Sequence, residues 1–253
     1  MQCINRGPQR VLVLGGTSEA TELVAKMAEI PQVEVILSLA GRTQNPRLSG
    51  DQTRIGGFDG AGGLTDYLRA QHIDWLIDAT HAFAAQMSFH AATAATAANI
   101  PRLMLLRPAW KPVAGDRWIE VDSLAAAADR LPQLAQRIFL TVGRQELAVF
   151  APLQTLWFLM RMIDAPLPDA SVPPGLVLLR RGPFTWADER SLLEHHAIGA
   201  VVSKNSGGEA TYAKIRAARA LKLPIVMVQR PPMPAGERVE TVSQALGWLV
   251  DQL

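Results

Sequence analysis

One short run near the start of the chain limits what it can fold into. Four apolar, β-prone residues at Val11–Leu14 lead into Gly15 and Gly16, then two hydroxyl residues and a helical pattern. This order predicts a buried parallel strand that turns tightly into a helix, and such a turn directs unpaired N–H groups at one point, as a phosphate requires. The run is not the dinucleotide fingerprint G-x-G-x-x-G, because its second glycine comes one residue early. An ordinary βα turn whose glycines only relieve crowding is the alternative.

The composition is that of a globular protein. The 253 residues are 49% hydrophobic, which is enough for one large domain or for two of about 125 residues each. The 25 basic and 23 acidic side chains are spread evenly along the chain, so we do not expect a nucleic-acid partner.

Cysteine usage and hydropathy predict a cytoplasmic protein. Cys3 is the only cysteine, so no intramolecular disulfide forms, and no apolar signal stretch begins the chain. The alanine-rich segment 82–98 is short and contains polar residues, which favours a packed helix over a membrane span. We expect no membrane partner, and a monomer or a weak homo-oligomer.

Strand and helix patterns alternate along the chain, which is typical of doubly wound parallel sheets. Strands are predicted at about 10–15, 33–38, 74–78, 102–106, 117–121, 137–142, 156–160, 176–180, 199–203 and 224–228. Helices are predicted at about 18–29, 63–72, 82–99, 123–131, 145–151, 185–195, 208–221 and 242–252. Two prolines around a tryptophan break the rhythm at Arg107–Pro112, so we predict α/β domains at 1–109 and 110–253. The proline-rich stretch 164–175 is predicted to be a surface loop.

Three features of the first half could bind a ligand. Arg42, followed by Thr43, comes just after the second strand, where an arginine in a dinucleotide site pairs with a 2′-phosphate. Arg42 therefore favours NADP(H) over NAD(H), and a solvated loop arginine is the alternative. Five glycines within 55–63 form either a loop that wraps a ligand or a flexible connector. Asp78 ends a predicted strand, where it would hold a ribose or cap the next helix. His81 follows, and it would serve as an acid or as a hydrogen-bond donor.

The second half repeats the opening logic. Ser203–Ala210 again runs from strand through glycines to helix, and Lys204 adds a charge for an anionic group, with helix capping by Ser206 as the alternative. Arg144, Arg180 and Arg181 lie near predicted strand ends, where they would contact an acidic substrate or simply face solvent. The five histidines and one cysteine show no metal-ligand spacing, and no hydrolase elbow or P-loop appears, so we predict no metal.

Six motifs, taken together, identify a family that this chain resembles. They are Leu14–Ala20, Gly41–Arg42, Asp78–Ala84, Leu106–Pro108, Thr141–Gly143 and Ser203–Gly208. Their order and spacing make the chain similar to precorrin-6A reductases of cobalamin biosynthesis over nearly its whole length.

The resemblance implies a Rossmann-like, two-domain α/β oxidoreductase that binds NADPH in the cleft between its domains. It would reduce one double bond of an anionic tetrapyrrole, precorrin-6A, to give precorrin-6B, and we favour the metal-free ring as substrate. The implied cofactor-binding residues are Gly16, Thr17, Ser18, Arg42, Thr43, Asp78, Thr80, Ser203 and Asn205. The implied substrate-binding residues are Arg144, Arg181, Lys204 and Gly207.

The proton that accompanies hydride transfer has three candidate sources, which are Lys204, His81 and water. Related sequences often carry aspartate where Asn205 stands, so an acid role at that position is in doubt here. Two rival functions stay open: a non-catalytic two-lobe binder of an anionic small molecule, and a cofactor-independent, synthase-like tetrapyrrole enzyme.

Overall fold

The computed structural model describes residues 7–41 and 52–253. The chain divides into two compact units, each of which contains one six-stranded sheet. The first unit comprises the chain up to Pro108 together with Pro232–Leu253, and the second comprises Ala109–Pro231. The strand pairs of both sheets are parallel, so the predicted pair of doubly wound α/β sheets is confirmed.

The first unit has helices on both faces of its sheet. Its strands are β1 Gln9–Leu14, β2 Val33–Leu39, β3 Thr53–Ile55, β4 Trp75–Asp78, β5 Arg102–Leu105 and β12 Arg238–Val239, and its helices are α1 Ser18–Met27, α2 Gly60–Ala70, α3 Ala85–Ala98 and α7 Val242–Val250. The strand order is β12-β5-β4-β1-β2-β3.

Burial explains why β1 is apolar along its length. Val11 and Val13 are fully buried among side chains of α1 and α7, whereas Leu12 and Leu14 are buried among those of α2 and α3. Successive side chains of a strand point to opposite faces, so a strand that is covered on both faces reads as a continuous apolar run.

The second unit repeats this architecture with a different strand order. Its strands are β6 Trp118–Val121, β7 Arg137–Thr141, β8 Trp157–Met162, β9 Gly175–Leu179, β10 Ala200–Lys204 and β11 Ile225–Val228, and its α-helices are α4 Leu124–Arg130, α5 Trp186–His195 and α6 Ala213–Ala220. Two 3₁₀ helices cover Leu131–Gln133 and Arg144–Val149. The strand order is β6-β11-β10-β7-β8-β9.

The structure differs from the sequence prediction at a few elements. The helix predicted at 145–151 is the 3₁₀ helix Arg144–Val149, and α6 begins at Ala213 rather than near 208. The predicted second domain, 110–253, includes residues that belong to the first unit. There β12 pairs with β5 and α7 packs against α1, so the chain returns to its first sheet after Pro231.

Each sheet has one point where the chain reverses its direction of strand addition. In the first sheet this point lies between β1 and β4, and in the second it lies between β7 and β10. Open α/β sheets bind ligands at such points, outside the carboxyl ends of the strands. We therefore expect a ligand site at the segments that follow these four strands.

Candidate functional site

Backbone packing explains both glycines of the turn after β1. The Gly15 N–H donates to the Ser38 carbonyl at 2.9 Å, and a Cβ at Gly15 would lie 2.6 Å from Leu37 Cδ1. Gly16 has φ +118°, a conformation that side chains rarely adopt, and no atom lies within 4 Å of an added Cβ there. The first glycine thus permits close strand packing, while the second permits the turn and leaves space beside it.

Thr17 joins the ends of β1 and β4. Its hydroxyl accepts the Ala20 N–H at 3.1 Å as the N-cap of α1, and donates to the Ala79 carbonyl at 2.8 Å. The neighbouring Ser18 hydroxyl donates to Glu19 at 3.1 Å. The Thr17 side chain therefore fixes the turn, and any phosphate contact at this residue falls to its backbone N–H.

Asp78 is a buried carboxylate at the end of β4. It is only 1% exposed, and its Oδ1 accepts both the Thr80 N–H at 3.1 Å and the Thr80 hydroxyl at 2.7 Å. Its Oδ2 is buried and accepts no hydrogen bond from any group of residues 7–41 and 52–253. A buried acceptor without a donor is uncommon in native proteins, so this oxygen suits a hydroxyl donated by a ligand or a water.

His81 lies directly after this turn. Its Nδ1 accepts the Phe83 N–H at 3.2 Å, and the two rings are 5.8 Å apart. In the neutral tautomer that this hydrogen bond requires, the ring proton is on Nε2. Neutral His81 therefore offers its Nε2–H as a hydrogen-bond donor, whereas an acid role requires the imidazolium, in which Nδ1 is protonated and no longer accepts the Phe83 N–H.

Glu19 and Arg107 form an ion pair that sequence reasoning did not assign to the site. Arg107 Nη1 donates to both carboxylate oxygens, at 3.0 and 2.8 Å. A pocket beside them is lined by Thr17, Glu19, Thr80, Ala82, Leu105, Leu106 and Arg107. Burial raises the pKa of Glu19, but the hydrogen bond and charge of Arg107 oppose it, and the net effect is a lowered pKa.

We expect Glu19→Gln to make the first unit less sensitive to acid. A carboxyl with a depressed folded-state pKa stabilises the fold above its unfolded pKa, and this contribution is lost as the pH falls through the folded pKa. The wild type should therefore lose more stability than Glu19→Gln below pH 4.5. Denaturant unfolding over a pH series measures the difference. Parallel curves would contradict the prediction, and Glu22→Gln, which breaks an exposed pair with Lys26, should follow the wild type.

The predicted 2′-phosphate contacts, Arg42 and Thr43, lie outside the described residues. Arg54 lies on β3, the strand that pairs with β2. Its guanidinium stacks 3.8 Å from the Phe58 ring and donates to the Gly56 carbonyl at 2.7 Å. Arg54 thus shapes the glycine-rich turn that follows β3.

Lys204 ends β10 and forms an ion pair with Glu146. The other carboxylate oxygen of Glu146 accepts the Gly143 N–H at 2.9 Å. Ser203 is buried, and its hydroxyl donates to the Lys204 carbonyl at 3.1 Å. The sequence pattern indicates Lys204 and Ser203 but gives no signal for Glu146, which is 58 residues from its partner.

The Asn205 side chain is bonded to the backbone of Trp110. Its Oδ1 accepts the Trp110 N–H at 2.8 Å, and its Nδ2 donates to the Trp110 carbonyl at 3.0 Å. Arg230 donates to the carbonyls of Asn205 and Ser206, at 2.9 and 3.0 Å. Gly207 follows with φ +70°. The side-chain amide of Asn205 thus anchors the loop, and its predicted contact with a cofactor stays a prediction.

The predicted substrate arginines follow two other strands of the second sheet. Arg144 comes after β7 and donates weakly to the Ala165 carbonyl at 3.4 Å, and Arg181 comes after β9 and is exposed. With Lys204 as the last residue of β10, three cations lie at or after the carboxyl ends of three strands. Their contacts with a substrate stay a prediction.

Residues 7–41 and 52–253 contain neither a metal-binding cluster nor a membrane-spanning helix. No group of three or more metal-ligating side chains could hold a metal ion. None of the helices in these ranges combines the length and the apolar character that a bilayer crossing requires.

Comparisons with known proteins agree with the resemblance seen in the motifs. A family model described as precorrin-6x reductase CbiJ/CobK matches residues 10–250. The precorrin-6A reductase of Rhodococcus erythropolis is 51% identical over 95% of this chain and 97% of that protein. The precorrin-6A reductase of Rhodobacter capsulatus is 42% identical, covering 96% of each. A solved structure titled CobK precorrin-6A reductase superposes with a TM-score of 0.91 at 42% identity, again over 96% of each chain. This chain therefore belongs to the precorrin-6x reductase CbiJ/CobK family.

Proposed function

We propose that this protein uses NADPH to reduce one double bond of precorrin-6A, giving precorrin-6B in cobalamin biosynthesis. The observation that carries the proposal is the 51% identity with a precorrin-6A reductase over nearly the full length of both chains. That relative's name specifies precorrin-6A, so we propose the metal-free ring as substrate. Family membership also favours a reductase over the two rivals, the non-catalytic binder and the cofactor-independent synthase.

The turn after β1 has the features that a dinucleotide phosphate requires. Space beside Gly16 and the start of the ten-residue helix α1 favour an anion near Thr17 and Ser18. We propose that the Asp78 carboxylate, whose buried Oδ2 has no donor among the described residues, accepts a ribose hydroxyl, with Thr80 held beside it. NADPH, when bound, supplies the hydride. We propose that Arg42 and Thr43 hold its 2′-phosphate, and that Ser203 and Asn205 also contribute to its binding.

The cations at the carboxyl ends of the second sheet suit a polycarboxylate substrate. We propose that Arg144, Arg181 and Lys204 bind its carboxylates, and that the Gly207 backbone leaves room for its ring. Charged hydrogen bonds to carboxylates are about twice as strong as neutral ones, so a few such contacts orient a large flat molecule.

A proton must also reach the reduced ring, and two side chains are proposed to deliver it. Lys204 forms an ion pair with Glu146, and His81 would deliver a proton only as the imidazolium, in which Nδ1 no longer accepts the Phe83 N–H. Water is the third source. The separate effects of Lys204→Met and His81→Gln on turnover distinguish them.

Nucleotide preference tests the proposed function. We expect purified protein with precorrin-6A to oxidise NADPH with kcat/KM about tenfold or more above that for NADH, and Arg42→Ala to remove this difference. Absorbance at the nicotinamide band follows the reaction. Arg47→Ala changes the other arginine of the segment 42–51 and serves as the matched control, which should keep the preference.

Three outcomes would count against this scheme. Equal use of NADH and NADPH by the wild type would remove Arg42 from its role. Binding of precorrin-6A without nucleotide oxidation would favour the non-catalytic binder or the synthase. Faster turnover of a cobalt-loaded ring would overturn the proposal of a metal-free substrate.

A further inference from the structure

Glu146 faces the reversal point of the second sheet, although no motif marks it. It lies on the 3₁₀ helix Arg144–Val149, directly after β7. Thr141 at the end of β7 donates its hydroxyl to the Val202 carbonyl of β10 at 2.9 Å, which ties the two strand ends together. The two carboxylate oxygens of Glu146 therefore meet groups that follow neighbouring strands.

The two oxygens of Glu146 have separate tasks. Oε2 accepts the Gly143 N–H at 2.9 Å, and the Glu146 N–H donates back to the Gly143 carbonyl at 2.9 Å. A Cβ at Gly143 would lie 3.3 Å from Oε2, so a glycine lets the carboxylate lie close to the backbone. With its position fixed by Gly143, the carboxylate presents Oε1 to the Lys204 ammonium.

Lys204 needs such a partner where it lies. Its side chain is only 15% exposed, and a largely buried cation is costly unless it is paired and hydrogen-bonded. Lysine is a flexible chain with four methylene groups, so loss of the Glu146 carboxylate removes a contact that fixes the position of its ammonium. The loop after Lys204 is held separately by Trp110 and Arg230, so the backbone at this point does not depend on Glu146.

We infer that Glu146 is a positioning residue, which holds the Lys204 ammonium in place at the carboxyl end of β10 for the tetrapyrrole substrate. The inference rests on the proposed function through the role of Lys204. Glu146 itself need not contact the substrate, because its carboxylate is already shared between Gly143 and Lys204.

Glu146→Gln separates positioning from folding. Glutamine keeps an oxygen for the Gly143 N–H and removes the charge that holds Lys204. We expect kcat with precorrin-6A to fall roughly tenfold, with KM for NADPH unchanged and only a small decrease in the thermal unfolding midpoint. In a Lys204→Met background the same change should cause no further loss, because a residue that acts through Lys204 has nothing left to position.

A second measurement does not require turnover. The rate at which an amine-reactive reagent modifies Lys204, followed by mass spectrometry, should rise severalfold in Glu146→Gln. The exposed Lys222 in the same unit should react at the same rate in both proteins.

The outcomes distinguish failure of the positioning role of Glu146 from failure of the proposed function. Additive losses in the double variant, or an unchanged Lys204 labelling rate, would overturn the inference alone. Full activity of Lys204→Met would overturn it together with the proposed role of Lys204. A wild type that never oxidises NADPH would contradict the proposed function, while the labelling comparison would still decide whether Glu146 holds Lys204.

Discussion

Glu189→Ala is expected to destabilise the second unit by about 3–5 kcal/mol. Glu189 of α5 pairs with Arg161 of β8, and their side chains are only 2% and 5% exposed. The Arg161 guanidinium also stacks 3.7 Å from the Phe184 ring. Burial lowers the pKa of Arg161, and the hydrogen bond and charge of Glu189 oppose that shift. Removal of the carboxylate therefore leaves a buried cation without the charge that compensates it.

The same helix provides the matched control. Glu194 pairs with Arg190 at 3.0 Å, but both side chains are more than 40% exposed, so Glu194→Ala should cost at most about 1 kcal/mol. Replacement of both buried partners, Arg161→Met with Glu189→Leu, should recover most of the loss, because apolar side chains of similar size need no counter-charge. Denaturant unfolding measures all three. Equal losses in Glu189→Ala and Glu194→Ala would contradict the assignment.

The fold could be predicted where local chemistry dominates. The side chains of Val11–Leu14 are buried on both faces of a sheet, so the apolar run by itself indicates a central strand, without information from other segments. The edge strands β3 and β12 have three and two residues, and so short a strand has no periodicity to detect. Their pairing depends on the neighbouring strand, which is tertiary information.

The domain assignment differs for a related reason. The prolines at Arg107–Pro112 signal where the chain leaves the first unit, but α7 has an ordinary amphipathic pattern that fits either sheet. Only its contacts with α1 assign it to the first unit. The amphipathic pattern of a helix does not specify which of two sheets the helix covers.

The candidate sites show the same division. Gly15 and Gly16 are identifiable because a tight strand-to-helix turn restricts its own residues. The pairs Glu19–Arg107 and Glu146–Lys204 join residues 88 and 58 positions apart, so no local pattern could reveal them. The cations and hydroxyls near the strand ends could thus be predicted from sequence motifs, whereas their partners could be identified only from the fold.

Asn205 illustrates how a motif residue can have a structural task, and substitution should reveal it. Asn205→Ala removes both hydrogen bonds to Trp110, and we expect a loss of about 2–4 kcal/mol, since these two groups are only half-buried and the cost of each falls in the lower half of the range of about 1–3 kcal/mol that an unpaired buried group costs. Asn205→Asp keeps the acceptor for the Trp110 N–H and loses only the donor to its carbonyl. Because it also places a buried charge beside that carbonyl, its loss of stability should approach that of Asn205→Ala.

Hydrogen exchange at the Trp110 amide provides the local readout for this series. Exchange should be slow in the wild type and in Asn205→Asp, where the acceptor remains, and fast in Asn205→Ala. Unchanged exchange in Asn205→Ala would contradict the anchoring role. NADPH affinity then separates that role from cofactor binding, because a side chain that also contacts the cofactor should change binding, in either direction, in Asn205→Asp, whose Trp110 amide is still held. If affinity falls only in Asn205→Ala, the loss follows from the displaced loop, and Asn205 serves the site through the backbone that it anchors.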